Sequence, residues 1–139
     1  MKIMMQMWMA IHVFIYRLTG GKIGGKMGGE VLLLDTVGRK SGKQRTNPVM
    51  FFRDGGAYVI TASAGGAPSN PGWYFNLRAH PQTTIQVMGK RIPVTVSEAE
   101  QGERARLWAK LVSLSPQFKG YETRTPRKIP MLLLKPDKE

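Results

Sequence analysis

The chain has 139 residues, with 21 Lys and Arg against 9 Asp and Glu for a net charge of +12, 42% hydrophobic residues and no cysteine. That length holds one domain whose core needs no cross-links. The missing cysteines exclude disulfides and thiolate metal sites, and the only histidines, His12 and His80, match no metal-ligand spacing.

Residues 3–15 are apolar and rich in methionine, with Trp8 and Phe14 and only Gln6 and His12 as interruptions. Spanning a bilayer takes roughly 20 apolar residues, and no small-residue cleavage site follows as a secretory leader requires. A helix is predicted, packed on the core or lying on a membrane surface through residues 1–18, helped by Lys2, Arg17, Lys22 and Lys26. TGGKIGGKMGG (19–29) is too glycine-rich for regular structure. Residues 1–29 are therefore set apart from a single folded domain at 30–139.

LLLDTVGRKSGKQRTNPVMFFR (32–53) reads as strand, loop, strand, with apolar runs at Val31 to Leu34 and Val49 to Phe52. Between them Arg39, Lys40, Lys43 and Arg45 alternate with Ser41, Thr46 and two glycines. So many cations and donors on a tight connection suit a phosphate or carboxylate, although charged loops are also common as solvated surface. Residues 1–97 carry twelve cations and three acids, which points to an anionic partner; charge alone does not choose among nucleic acid, a membrane face and a polyanionic small molecule.

Asp54-Gly55-Gly56 is a turn signal and Tyr58 to Ala62 a third strand. In ASAGGAPSNPGWYFNLRAHP (62–81), Ser63 ends that strand, Gly65 and Gly66 allow close approach of backbone to a ligand, and Pro71 opens a short helix with Trp73, Tyr74, Asn76 and Leu77. Small residues, an aromatic ring and an amide suit a flat heteroaromatic ligand, or else an ordinary loop over a buried Trp73. Thr83 to Met88 and Arg91 to Val96 form a hairpin around Gly89-Lys90. Ser97 to Glu100 has the pattern of a capping box, starting a helix with an apolar stripe of Ala105, Trp108, Leu111 and Val112. Ser115 to Lys128 is a polar loop containing Phe118, Tyr121 and Arg124, and Ile129 to Leu134 closes the fold. The expected class is α+β, a small antiparallel barrel of about six strands with an N-terminal helix and a helix after the fifth strand.

Side-chain catalysis has little support. The few acids at Glu98, Glu100 and Glu103 look like a solvated helix start, Ser63 lies in no G-x-S-x-G turn, and there is no Walker or G-x-G-x-x-G motif. An enzyme built from this sequence needs a cofactor to carry the chemistry.

GRKSGKQRTNP (38–48), DGG (54–56), ASAGG (62–66) and NPGWYFNLRAHP (70–81) together resemble the deazaflavin-dependent nitroreductases of actinobacteria, also described as coenzyme F-420-dependent quinone reductases. The similarity runs from about Val31 to Pro136. It implies a split β-barrel of the FMN-binding type and reduced coenzyme F-420 as donor, with FMN as the alternative. By the resemblance Arg39, Lys40, Ser41 and Arg45 hold the coenzyme's phosphate and oligoglutamate tail, while Pro48, Ala62, Ser63, Trp73 and Asn76 line the ring. Ser63 and Tyr121 are the candidate donors to the acceptor. Relatives that reduce bulky nitro compounds tend to carry several tyrosines where this chain has Met50, Ser115 and Phe118, so a quinone or similar conjugated, electron-poor acceptor is expected. Relatives can carry a lysine where this chain has Ala64. A cytoplasmic protein is expected, with peripheral contact on the inner membrane face through residues 1–18 as a separate hypothesis beside packing of that segment on the core; a non-catalytic coenzyme carrier or a basic surface binder is the other class, and no nucleic-acid partner is expected.

Overall fold

Alternation along the first strand buries apolar side chains on both of its faces. In β1 (Glu30–Val37) Leu32 and Leu34 face one side and Val31 and Leu33 the other, and all four are buried. A strand lined on both faces must be covered on both. The computed structural model describes residues 30–63, 69–124 and 127–137. The helix expected over 3–15, the glycine-rich connection and the Gly65-Gly66 pair lie outside them.

The remaining strands are β2 (Gln44–Asp54), β3 (Ala57–Thr61), β4 (Gln82–Val87), β5 (Lys90–Glu98) and β6 (Met131–Pro136). They close into an antiparallel barrel in the order β1-β2-β3-β6-β5-β4, as the sequence predicts. Leu33 lies opposite Pro48, Phe51 opposite Ile60, Val59 opposite Leu133 and Ile85 opposite Ile92, and Leu34 meets Ile85 across the closing seam. Closure leaves no unpaired edge. Leu32, Leu34, Val49, Ile60, Val94 and Leu134 fill the interior, joined by Tyr74 and Leu77 from α1 (Gly72–Ala79).

The second core lies outside the barrel wall. Phe52, Val59, Met131 and Leu133 pack against Leu107, Trp108 and Leu111 of α2 (Gln101–Leu114) and Phe118 of α3 (Phe118–Arg124). Each fully buried side chain of this size contributes about 1.5–3 kcal/mol.

Several local expectations are corrected. The capping box does not form: Ser97 and Glu98 continue β5, paired with Leu133 and Leu132, and Glu100 precedes the helix with no side-chain cap. The ladder with β6 outcompetes a local Ser–backbone bond. Ala105 is exposed and Leu107 takes its place in the stripe. The loop expected from Ser115 contains α3, which buries Phe118 and sets it edge-on to Tyr121, three residues on, at 5.0 Å and 76°. The β4–β5 turn falls at Met88-Gly89, with Met88 at φ 48 and Gly89 at φ 87, the left-handed pair that two-residue hairpins require.

Asp54, at the end of β2, ties the β2–β3 turn to α2. Arg106 donates to both carboxylate oxygens at 3.0 and 2.9 Å, and Lys110 to one at 3.1 Å. The Arg106 guanidinium, then the Lys110 ammonium, hold this carboxyl well below its ordinary value of 3.8. A depressed folded-state pKa stabilises above the unfolded value, and the contribution disappears as pH falls below it. Asp54→Asn is therefore expected to lower stability by about 1 kcal/mol at neutral pH, since both cations are well exposed. The difference from the unaltered protein should shrink between about pH 5 and about pH 2, read from urea midpoints across that range.

Candidate functional site

The basic turn between β1 and β2 is built from backbone first. Gly38 N–H donates to Lys43 O and Gly42 N–H to Gly38 O, both at 2.8 Å, and Ser41 Oγ accepts from Lys43 N–H at 3.2 Å. Gly42 sits at φ 71, where glycine is favoured. A Cβ on Gly38 would lie 2.5 Å from Ser41 Oγ, so only glycine leaves that hydroxyl in place.

Asn76 docks this turn onto α1. Its Oδ1 accepts from the Arg39 backbone N–H at 3.2 Å and from Arg39 Nη1 at 2.9 Å, while Nδ2 donates to Thr36 Oγ1 at 3.2 Å. Asn76 is 5% exposed, and a buried amide is stable only when paired in this way. Arg39 also donates to Gly72 O at 3.4 Å and lies 5.1 Å from the centre of the Phe75 ring, a cation–π contact. At the far side of α1, Tyr74 Oη donates to Glu98 Oε1 at 2.7 Å. Burial, then the Glu98 carboxylate, raise the phenol above its usual pKa, so it stays a neutral donor.

The result is a groove of about 710 Å³ between turn and helix, lined by Arg39, Lys40, Ser41, Arg45, Pro48, Trp73 and Asn76. Among the described residues Lys40 and Arg45 make no ion pair. A second cavity of about 440 Å³ adjoins it; Pro48 and Trp73 form a wall of both, and Ser63, Met50, Ser115, Phe118 and Tyr121 line only the second. Its surface is otherwise largely apolar, with Val59 and Leu111 among the lining residues.

The residues expected at the site are thus divided between two adjoining spaces. Ala62 lines neither: it is fully buried in the barrel interior, with its N–H donating to Pro130 O at 2.9 Å. Asn76 reaches the groove, but its amide is committed to Arg39 and Thr36. Arg127 belongs to no motif and was not expected at the site. Its Nη1 donates to Ala62 O at 3.1 Å and to Asn70 Oδ1, and Nη2 to Ser63 O at 2.8 Å. Burial lowers its pKa.

The donor set fits a flat cofactor with an anionic extension. Two uncommitted cations and a third held rigidly face one groove, which is suited to phosphate and carboxylates. At the other end Ser63, 9% exposed, has a hydroxyl with no hydrogen-bond partner among the described residues, leaving a donor for a ligand.

A family model described as F-420H(2)-dependent quinone reductase matches residues 8–136. The chain belongs to the F-420H(2)-dependent quinone reductase family. A curated member of that name from Mycobacterium tuberculosis is 41% identical over 129 residues, covering 89% of this chain and 87% of that protein. A solved structure described as an F-420-H2-dependent reductase is 39% identical, covers 76% of this chain and 93% of that one, and superposes with a TM-score of 0.69. A haem-binding protein from Mycobacterium smegmatis, 17% identical with a TM-score of 0.60 and covering 86% and 50% of the two chains, shares the fold alone.

In this family's barrel, the Asn76 link makes a specific demand on one side chain. Asn76→Ala removes the acceptor for two Arg39 donors and orphans Thr36. It should destabilise the protein by about 1–3 kcal/mol and weaken binding of oxidised coenzyme F-420 by about tenfold, the equivalent of about 1.4 kcal/mol. A melting curve and a fluorescence titration of the same sample check both.

Proposed function

We propose that this protein transfers hydride from reduced coenzyme F-420 to a quinone or a similar conjugated, electron-poor acceptor. The observation that carries the proposal is the pair of adjoining cavities, one cationic and one largely apolar, with Pro48 and Trp73 as common walls. The family name and the relatives' names support the same donor and acceptor classes.

When bound, the reduced deazaflavin supplies the hydride, two electrons with one proton, and a second proton from water completes the hydroquinone. The chain's own residues do the rest. Arg39, Lys40 and Arg45, with the Ser41 hydroxyl, hold the phosphate and carboxylate tail by charge-assisted bonds. Pro48 and Trp73, which line both spaces, would hold the ring at their junction and bring donor and acceptor together. Phe118, Met50 and Leu111 present an apolar surface to a neutral aromatic acceptor and exclude water. The Ser63 and Tyr121 hydroxyls are the donors toward the acceptor oxygen as charge develops there. Met50, Ser115 and Phe118 line this cavity where relatives that reduce bulky nitro compounds tend to carry tyrosines, which favours quinones over nitro compounds.

Peripheral contact with the cytoplasmic membrane face through residues 1–18 belongs to the same proposal, since a lipid-soluble quinone is most concentrated there. Among the described residues no helix is long and apolar enough to cross a membrane.

The test is anaerobic oxidation of reduced coenzyme by a soluble naphthoquinone. Changing Arg39 and Lys40 together to Ala should raise the coenzyme KM at least about tenfold, about 1.4 kcal/mol, leave kcat at saturation within a few-fold, and flatten the salt dependence. Coenzyme that binds tightly yet is oxidised by no quinone would contradict the proposed activity; an unchanged KM in the double variant would contradict the tail assignment.

A further inference from the structure

Arg127 lies between α3 and β6, lines neither cavity, and turns its guanidinium to two successive carbonyls, Ala62 O at 3.1 Å and Ser63 O at 2.8 Å. It also donates to Asn70 Oδ1, next to the start of α1. The same side chain thus holds the end of β3 and the approach to the helix that carries Trp73.

In a planar trans peptide the C=O and N–H point in opposite directions. With Ala62 O turned toward Arg127, the Ser63 N–H is turned away from it. Ser63 lines the 440 Å³ cavity, and Arg127 does not. Among the described residues neither the Ser63 N–H nor its Oγ has a hydrogen-bond partner, although Ser63 is 9% exposed. Buried backbone donors are nearly always paired, so this unpaired donor marks a place for a ligand atom. A cation on the carbonyl side also polarises the peptide and strengthens its N–H as a donor, because hydrogen bonds in a chain polarise one another.

We propose that Arg127 is a positioning residue that aims the Ser63 N–H and hydroxyl into the acceptor cavity as a two-donor site for the oxygen that gains negative charge during reduction. This rests on the reductase reading above. Donors held in place before the charge appears act on the transition state, so their loss falls on kcat more than on binding. Arg127 lines neither cavity and acts on the acceptor through the Ser63 peptide.

The experiment is anaerobic turnover of reduced coenzyme F-420 with a soluble naphthoquinone, alongside coenzyme titrations and melting curves, for the unaltered protein, Arg127→Gln, Arg127→Lys, Ser63→Ala and Ser63→Ala with Arg127→Gln. Arg127→Gln should lower kcat about 100-fold, the effect of losing one such donor, with coenzyme affinity and acceptor KM within about threefold. Arg127→Lys, which keeps the charge but not the fork, should fall between, and it carries the test if the Gln variant does not fold. Ser63→Ala should slow the Arg127→Gln protein by less than it slows the unaltered one, because both changes act on one donor pair. A folded Arg127→Gln or Arg127→Lys protein with kcat within twofold of the unaltered value would overturn the inference, as would fully additive effects. Coenzyme affinity and melting temperature falling while kcat holds would make Arg127 a structural clamp only and also overturn it. If the unaltered protein oxidises no coenzyme, the reductase reading fails and this inference with it.

Discussion

A single buried amide holds the site together. Asn76 spends its oxygen on Arg39 and its nitrogen on Thr36, and by doing so fixes a cation-rich turn against a helix that the chain reaches only after two more strands. Without it the turn would be one more charged loop on a basic surface. With it, Arg39 becomes part of a wall, braced by Gly72 O and the Phe75 ring, and the space between turn and helix becomes a groove. The helix is itself rooted by Leu77 in the barrel interior and by the Tyr74–Glu98 bond at its far side.

The two cores explain why the cavities differ in character. The interior core stiffens the barrel whose rim carries the charged turn and Ser63. The outer core, where α2 and α3 cover β2, β3 and β6, supplies Leu111, Phe118 and Tyr121 to the second cavity. Cations gather on one side of the Pro48–Trp73 wall and apolar surface on the other. A coenzyme with an anionic tail and a flat ring matches that separation, and an acceptor without charge matches what remains.

Much of this was legible in the sequence because period-two alternation and Gly-based turn signals are local. Six strands, the basic turn between the first two and the short helix after Pro71 all follow from them. What was not legible depends on distant partners. The capping pattern at Ser97 lost to a ladder with β6, which no neighbouring residue announces. Helix α3 was hidden by its polar composition and Gly120, and forms because Phe118 has the outer core to enter. Asn76 was expected to serve the ring, but its partners lie 37 and 40 residues away. Ala62 was expected at the ring and is sealed in the barrel. Arg127 carries no motif at all, since its function is to bind backbone oxygens that any residue type would supply.

The cationic groove and the space behind Pro48 and Trp73 together would select a tailed deazaflavin. The most direct measurement is a fluorescence titration of the protein with oxidised coenzyme F-420, with FMN titrated in parallel at the same salt. Micromolar or tighter binding of the deazaflavin, weakening with salt, and little binding of FMN are expected. Tighter binding of FMN, or binding of neither, would contradict it.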